Sequence, residues 1–151
     1  MEALLVSACL LGFNCKYSGG NNALPVETLE MLRMKYRLIP VCPEVMGGLP
    51  TPRTPSERRG ERVVTRDGRD VTAEYEKGAE HALRLAERYG CRAALLKSRS
   101  PSCGSGEIYD GSFTGRTVPG QGVTAEALTA AGIAVYDENA LEDFLEALKG
   151  I

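Results

Sequence analysis

Histidine and closely paired cysteines are what this chain lacks. One of its 151 residues is histidine, His81, and its five cysteines include no C-x-x-C pair. Structural zinc usually takes such pairs or several imidazoles, so zinc is the weaker metal reading. No run of 18 apolar residues occurs, and Met1-Glu2 leads into a short apolar segment without a basic region before it. A membrane span and a signal peptide are therefore not expected, and the expected location is the cytoplasm. There an odd set of dispersed cysteines reads as reduced thiols or metal ligands, not as a disulfide framework. The formal net charge of -2 gives no general attraction to nucleic acid. Neither nucleic acid nor a membrane is expected as a partner.

What is present is an alternation of strand and helix patterns in a chain long enough for one domain, residues 1–151. Ala3 to Val6 is an unbroken apolar run, as for a strand covered on both faces. A glycine- and asparagine-rich loop from Leu10 to Asn22 precedes a helix that starts at Pro25 and is marked by Val26, Leu29, Leu32, Arg33 and Tyr36. Leu38 to Val41 reads as the second strand. Four prolines between Pro43 and Arg69 predict an ordered excursion with little regular structure, except a hairpin of 62–65 with 69–71 around Asp67-Gly68. Thr72 is expected to cap a helix whose stripe is Tyr75, Ala79, Ala82, Leu83, Ala86 and Tyr89, ended by Gly90. Ala93 to Leu96 is a third strand, followed by a long glycine-rich loop from Lys97 to Gly122. A short helix from Thr124, a fourth strand from Ile133 to Tyr136, and a final helix capped by Asp137 and running through Leu148 complete the pattern. The order predicts an α/β fold: a three-layer, Rossmann-like parallel sheet of about four strands with a hairpin excursion.

Three cysteines fall where strands run out: Cys9, Cys42 and Cys103. The carboxyl ends of parallel strands share one edge, so residues distant in sequence converge there. Three thiols at that edge suggest a metal or cluster site. Three thiolates on a four-iron cluster leave one iron without a protein ligand, which lets a substrate bind and be polarised. A free cysteine is more commonly a small core residue. That bland reading is kept for Cys91, at the amino end of the third strand. Cys15 stays open as a fourth ligand, a proton donor or a disulfide partner for Cys9, and His81 reads as solvated surface.

Several motifs in order resemble the thiouracil desulfurases. These are Val6-Ser7-Ala8-Cys9-Leu10-Leu11-Gly12 with Cys15 and Tyr17, Pro40-Val41-Cys42-Pro43-Glu44, and Gly47-Gly48-Leu49-Pro50-Thr51-Pro52-Arg53. Asp70-Val71-Thr72, Leu96-Lys97-Ser98, Ser100-Pro101-Ser102-Cys103-Gly104 and Ile108-Tyr109-Asp110-Gly111 continue the resemblance over almost the whole chain. It implies a [4Fe-4S] cluster held by Cys9, Cys42 and Cys103. It also implies non-redox removal of sulfur from a thiolated pyrimidine such as 2-thiouracil, with the sulfur taken by the fourth iron.

Water must attack the thiocarbonyl carbon, and Glu44, two residues after Cys42, is the candidate to activate it. The resemblance adds Ser100 beside the open iron. As bland alternatives, Glu44 is a cap or surface carboxylate and Ser100 a turn hydroxyl before Pro101. Arg53, Lys97 and Asp110 are weaker candidates for substrate binding. Lys97 ends a strand on the ligand edge, and Asp110 reads equally as a turn residue. The arginines between Arg53 and Arg69 make the excursion locally basic, either to recruit an anion or as a solvated face. Two other readings stay open: sulfur transfer on another thiolated base or nucleoside, and a cluster- or zinc-binding redox sensor.

Overall fold

The computed structural model describes residues 1–141, 143, 144 and 146. β1 (Glu2–Ser7) runs into a 3-10 turn, Ala8–Leu11, and α1 (Val26–Lys35) returns the chain to β2 (Tyr36–Val41). A one-turn helix, α2 (Pro43–Met46), and two short strands, β3 (Ser56–Arg59) and β4 (Arg62–Thr65), lead to the long α3 (Thr72–Tyr89). β5 (Ala93–Leu96), β6 (Ser105–Tyr109), β7 (Thr117–Gln121), α4 (Val123–Ala130) and β8 (Ala134–Asp137) follow. The main sheet has the order β2-β1-β5-β8, and every pairing in it is parallel.

Alternation along the central strand divides the core into two layers. Leu5 packs with Ala82, Ala86 and Leu128 of α3 and α4, whereas Leu4 and Val6 pack with Leu32 of α1 and with Phe144. Leu4, Leu5, Leu32, Leu95, Leu96 and Leu128 are fully buried. Each such burial stabilises the fold by about 1.5–3 kcal/mol. The sheet with apolar layers on both faces is the α/β, Rossmann-like arrangement that the pattern predicts. The amino half of the stripe expected on α1 differs: Val26 is exposed, and Leu29 and Leu32 make the contact.

The connections depart further from expectation. Asp67-Gly68 does turn the chain, with the Gly68 N–H on the Thr65 carbonyl, but its partner strand shrinks to a single bridge between Val64 and Asp70. The regular hairpin is β3 with β4, around Gly60-Glu61. Val71, not Thr72, precedes the first turn of α3. The Thr72 hydroxyl instead accepts the Val63 N–H at 2.9 Å, which ties the helix to β4. The segment 97–122 is no structureless loop, because β6 and β7 form an antiparallel hairpin within it. Asp137 caps a 3-10 turn at Glu138–Ala140, accepting from the N–H groups of Asn139 and Ala140. Leu148, the expected end of the last helix, lies outside the described residues.

Two glycines let α2 approach α3 backbone to backbone. A Cβ on Gly78 would stand 1.9 Å from the Pro43 carbonyl oxygen, and one on Gly47 would stand 2.0 Å from that of Glu74. Only glycine fits there, and the contact fixes the residues that flank α2.

Candidate active site

The carboxyl ends of the central strands open into a cavity of ≈ 410 Å³. That volume is in the range of small-molecule sites. Cys9, Cys15, Cys42 and Cys103 all line it, with Glu44, Arg53, Lys97 and Ser100. All five cysteines are free, and Cys91 is buried in the layer beneath α3 and α4, away from the cavity. Asp110 is not among the lining residues. Its carboxylate accepts the Ser112 N–H at 2.8 Å and so acts as a turn residue. His81 is exposed on α3.

Each thiol reaches the cavity by a distinct local device. The 3-10 turn carrying Cys9 is stopped by Gly12, whose φ of 97° a side chain would disfavour. Cys42 is the extended residue before α2, with Pro43 pre-setting the first helical φ. Cys103 lies in a turn gathered by the Ser100 hydroxyl, which accepts the N–H groups of Ser102 and Cys103 at 3.1 Å each. The Ser7 hydroxyl accepts the Lys97 N–H at 2.9 Å, joining the ends of β1 and β5 under the thiols.

Charge is arranged in two pairs. Arg53 Nη2 lies 2.9 Å from Glu44 Oε2 and donates also to the Cys15 carbonyl at 2.9 Å. Burial works against the Arg53 charge, but the Glu44 carboxylate outweighs it and holds the guanidinium above its ordinary value. Lys97 Nζ lies 2.8 Å from Glu138, whose other oxygen accepts the Ser98 N–H. Burial opposes the Glu138 charge, yet the hydrogen bonds from Lys97 and Ser98 bring this carboxyl below its usual range. Burial pushes the thiols of Cys9 and Cys103 up, and that of Cys15 up to about 12. Thiols so desolvated are neutral unless a cation takes the proton's place.

A family model for 2-thiouracil desulfurase matches residues 4–140. The chain belongs to the 2-thiouracil desulfurase family. Among its relatives is the uncharacterized protein YbbK of Bacillus subtilis (strain 168), 41% identical over 94% of this chain and 99% of the relative. A solved structure of the [4Fe-4S]-dependent thiouracil desulfidase TudS is similar over the full length of both chains, with 48% identity and a TM-score of 0.93.

The donor set of this desulfurase-family chain fits an iron-sulfur cluster. Among the described residues, no three His, Cys, Asp or Glu side chains gather tightly enough for one metal ion. Thiols spread around a shared cavity suit a cluster, which offers each thiolate its own iron. Sequence reasoning missed several residues of this site. Tyr75, read only as part of the stripe on α3, is 2% exposed and lines the cavity. Burial, and then the nearby Glu44 carboxylate, raises its phenol well above the ordinary value, so it stays a neutral donor. Asn22 bonds Cys9, and Glu138 fixes Lys97, yet neither carries a sequence signal of its own.

Proposed function

We propose that this protein hydrolytically removes sulfur from a thiolated pyrimidine such as 2-thiouracil, using a [4Fe-4S] cluster held by Cys9, Cys42 and Cys103. The observation that carries the reading is the meeting of these thiols, from three chain segments, with Glu44 and Ser100 on one cavity. Family membership and 48% identity to a [4Fe-4S]-dependent thiouracil desulfidase support the cofactor and the substrate. When bound, the cluster supplies an iron free of protein ligands, a soft Lewis acid for the thiocarbonyl sulfur.

Glu44 takes a proton from the water that attacks the thiocarbonyl carbon. Its 2.9 Å contact with Arg53 fixes where that carboxylate stands on the cavity. The Ser100 hydroxyl accepts two backbone N–H groups and keeps its own proton free to donate to the substrate. Lys97, steadied by Glu138, offsets negative charge at the strand ends. The carbon–oxygen bond forms from water, the carbon–sulfur bond breaks, and sulfur leaves as sulfide with the water's two protons. No electrons are exchanged overall. The reduced thiols this requires suit the cytoplasm. No helix among the described residues is long and apolar enough to cross a membrane.

The test is anaerobic reconstitution followed by incubation with 2-thiouracil. Uracil and sulfide are expected in equal amounts over many turnovers. A loaded protein that binds 2-thiouracil and releases neither product would overturn the reading.

A further inference from the structure

The cavity has a second lining, from the two hairpins, that the reaction as described does not use. Glu57 of β3 and Phe113 of the β6–β7 connection both belong to it. Glu57 is a carboxylate only 8% exposed, and a charge so withdrawn is costly unless hydrogen bonded. Its Oε1 accepts the N–H of Gly111 at 3.0 Å and of Phe113 at 3.1 Å, across more than 50 residues of sequence. Two residues along the strand, Arg59 Nε donates to the Gly111 carbonyl at 2.8 Å. One short strand therefore grips this turn from both sides. Gly111 has φ 94°, and a Cβ there would stand 2.3 Å from Arg59 Cγ, so the grip requires glycine.

Phe113 itself has φ 59°, in the left-handed region that a bulky side chain adopts only under constraint. The Arg66 guanidinium lies 5.6 Å from the centre of its ring. A strained backbone, a buried carboxylate and a cation all serve to hold one aromatic ring at the cavity. Arg66, itself on the cavity, lies over one face of the ring, and the opposite face is the kind of flat apolar surface on which a heteroaromatic ring stacks.

The geometry points to Phe113 as the surface on which the substrate's pyrimidine ring stacks, with Glu57 as its positioning residue. This rests on the pyrimidine reading above and would make the site select planar heterocycles. Stacking holds the ring alike before and during bond breaking, so its loss weakens binding more than turnover.

The experiment uses the reconstituted protein and measures the Kd for uracil by calorimetry, and KM and kcat for 2-thiouracil. Phe113→Leu keeps an apolar side chain but removes the flat face. It is expected to raise Kd and KM roughly tenfold, the effect of losing one stacked base, with kcat within about twofold. Glu57→Ala should reproduce that loss, and Glu57→Gln should restore binding because an amide oxygen can accept the same two N–H groups. A folded, iron-loaded Phe113→Leu protein with the parent's Kd for uracil overturns the proposal, as does failure of Glu57→Gln to improve on Glu57→Ala. A parent that binds no uracil also overturns it. A parent that binds uracil without turning over 2-thiouracil contradicts the desulfurase reading instead, and the ratio of Kd values still decides the stacking.

Discussion

The Arg53 guanidinium lies 2.9 Å from the Glu44 carboxylate, with side-chain exposures of 6% and 16%. The same nitrogen holds the Cys15 carbonyl, so one cation joins the excursion after α2 to the loop after β1. If Glu44 moves protons and does not hold the cluster, Glu44→Gln should keep its iron and lose turnover by roughly 10²-fold or more. Iron analysis and conversion of 2-thiouracil on the same sample check this, and near-normal turnover would remove the carboxylate from the mechanism. Arg53→Ala leaves Glu44 withdrawn from water without its partner, and a loss of about 3 kcal/mol in denaturant unfolding is expected.

Ser100 differs from Glu44 in what it supports. Its hydroxyl accepts the N–H of Cys103 itself, so Ser100→Ala should lower iron content as well as turnover. Ser100→Thr retains the oxygen and should recover the iron. Full iron loading in Ser100→Ala would show that the turn holds Cys103 without this bond.

The contact of α2 with α3 gives a packing prediction. A Cβ at Gly78 would lie 1.9 Å from the Pro43 carbonyl oxygen, between the residues that carry Cys42 and Glu44. Gly78→Ala should destabilise the fold by about 1–3 kcal/mol through overpacking and reduce iron uptake. A helix-favouring effect of alanine, seen as an unchanged or raised melting temperature, would contradict the tight contact.

The legible part of the site is the part that sits on apolar strands. Leu4, Leu5 and Val6, and Ala94, Leu95 and Leu96, are buried in unbroken runs, so their ends, and hence Cys9 and Cys103, could be placed from pattern. β3, with the sequence Ser-Glu-Arg-Arg, reads as surface because its pairing depends on a buried carboxylate and on arginines spent on distant carbonyls. In β6 only Ile108 is buried, and β7 carries Pro119 and Gly120, so neither shows the two-residue period of a half-buried strand. Glu57 and Tyr75 were illegible for a related reason: a buried polar group announces itself only through partners brought by the fold. The likeness of motifs, not spacing, singled out Ser100.

The pair of Lys97 with Glu138 predicts a pH dependence. Glu138 is held below its usual range, so its stabilisation is present above the ordinary glutamate value and is lost as pH falls through the lowered one. The melting temperature of the parent should exceed that of Glu138→Gln at neutral pH, and the gap should close below the usual carboxylate range. A gap that stays constant into acid would contradict this role.

The proposed cluster is held by three thiols from separate chain segments, Cys9, Cys42 and Cys103, and serves desulfuration. Iron per chain after anaerobic reconstitution tests it most directly, measured for the parent and for serine at each of Cys9, Cys42, Cys103 and Cys91. About four irons are expected in the parent and in Cys91→Ser, with loss of the cluster in the other three variants. A full complement of iron in Cys9→Ser, Cys42→Ser or Cys103→Ser would contradict the account.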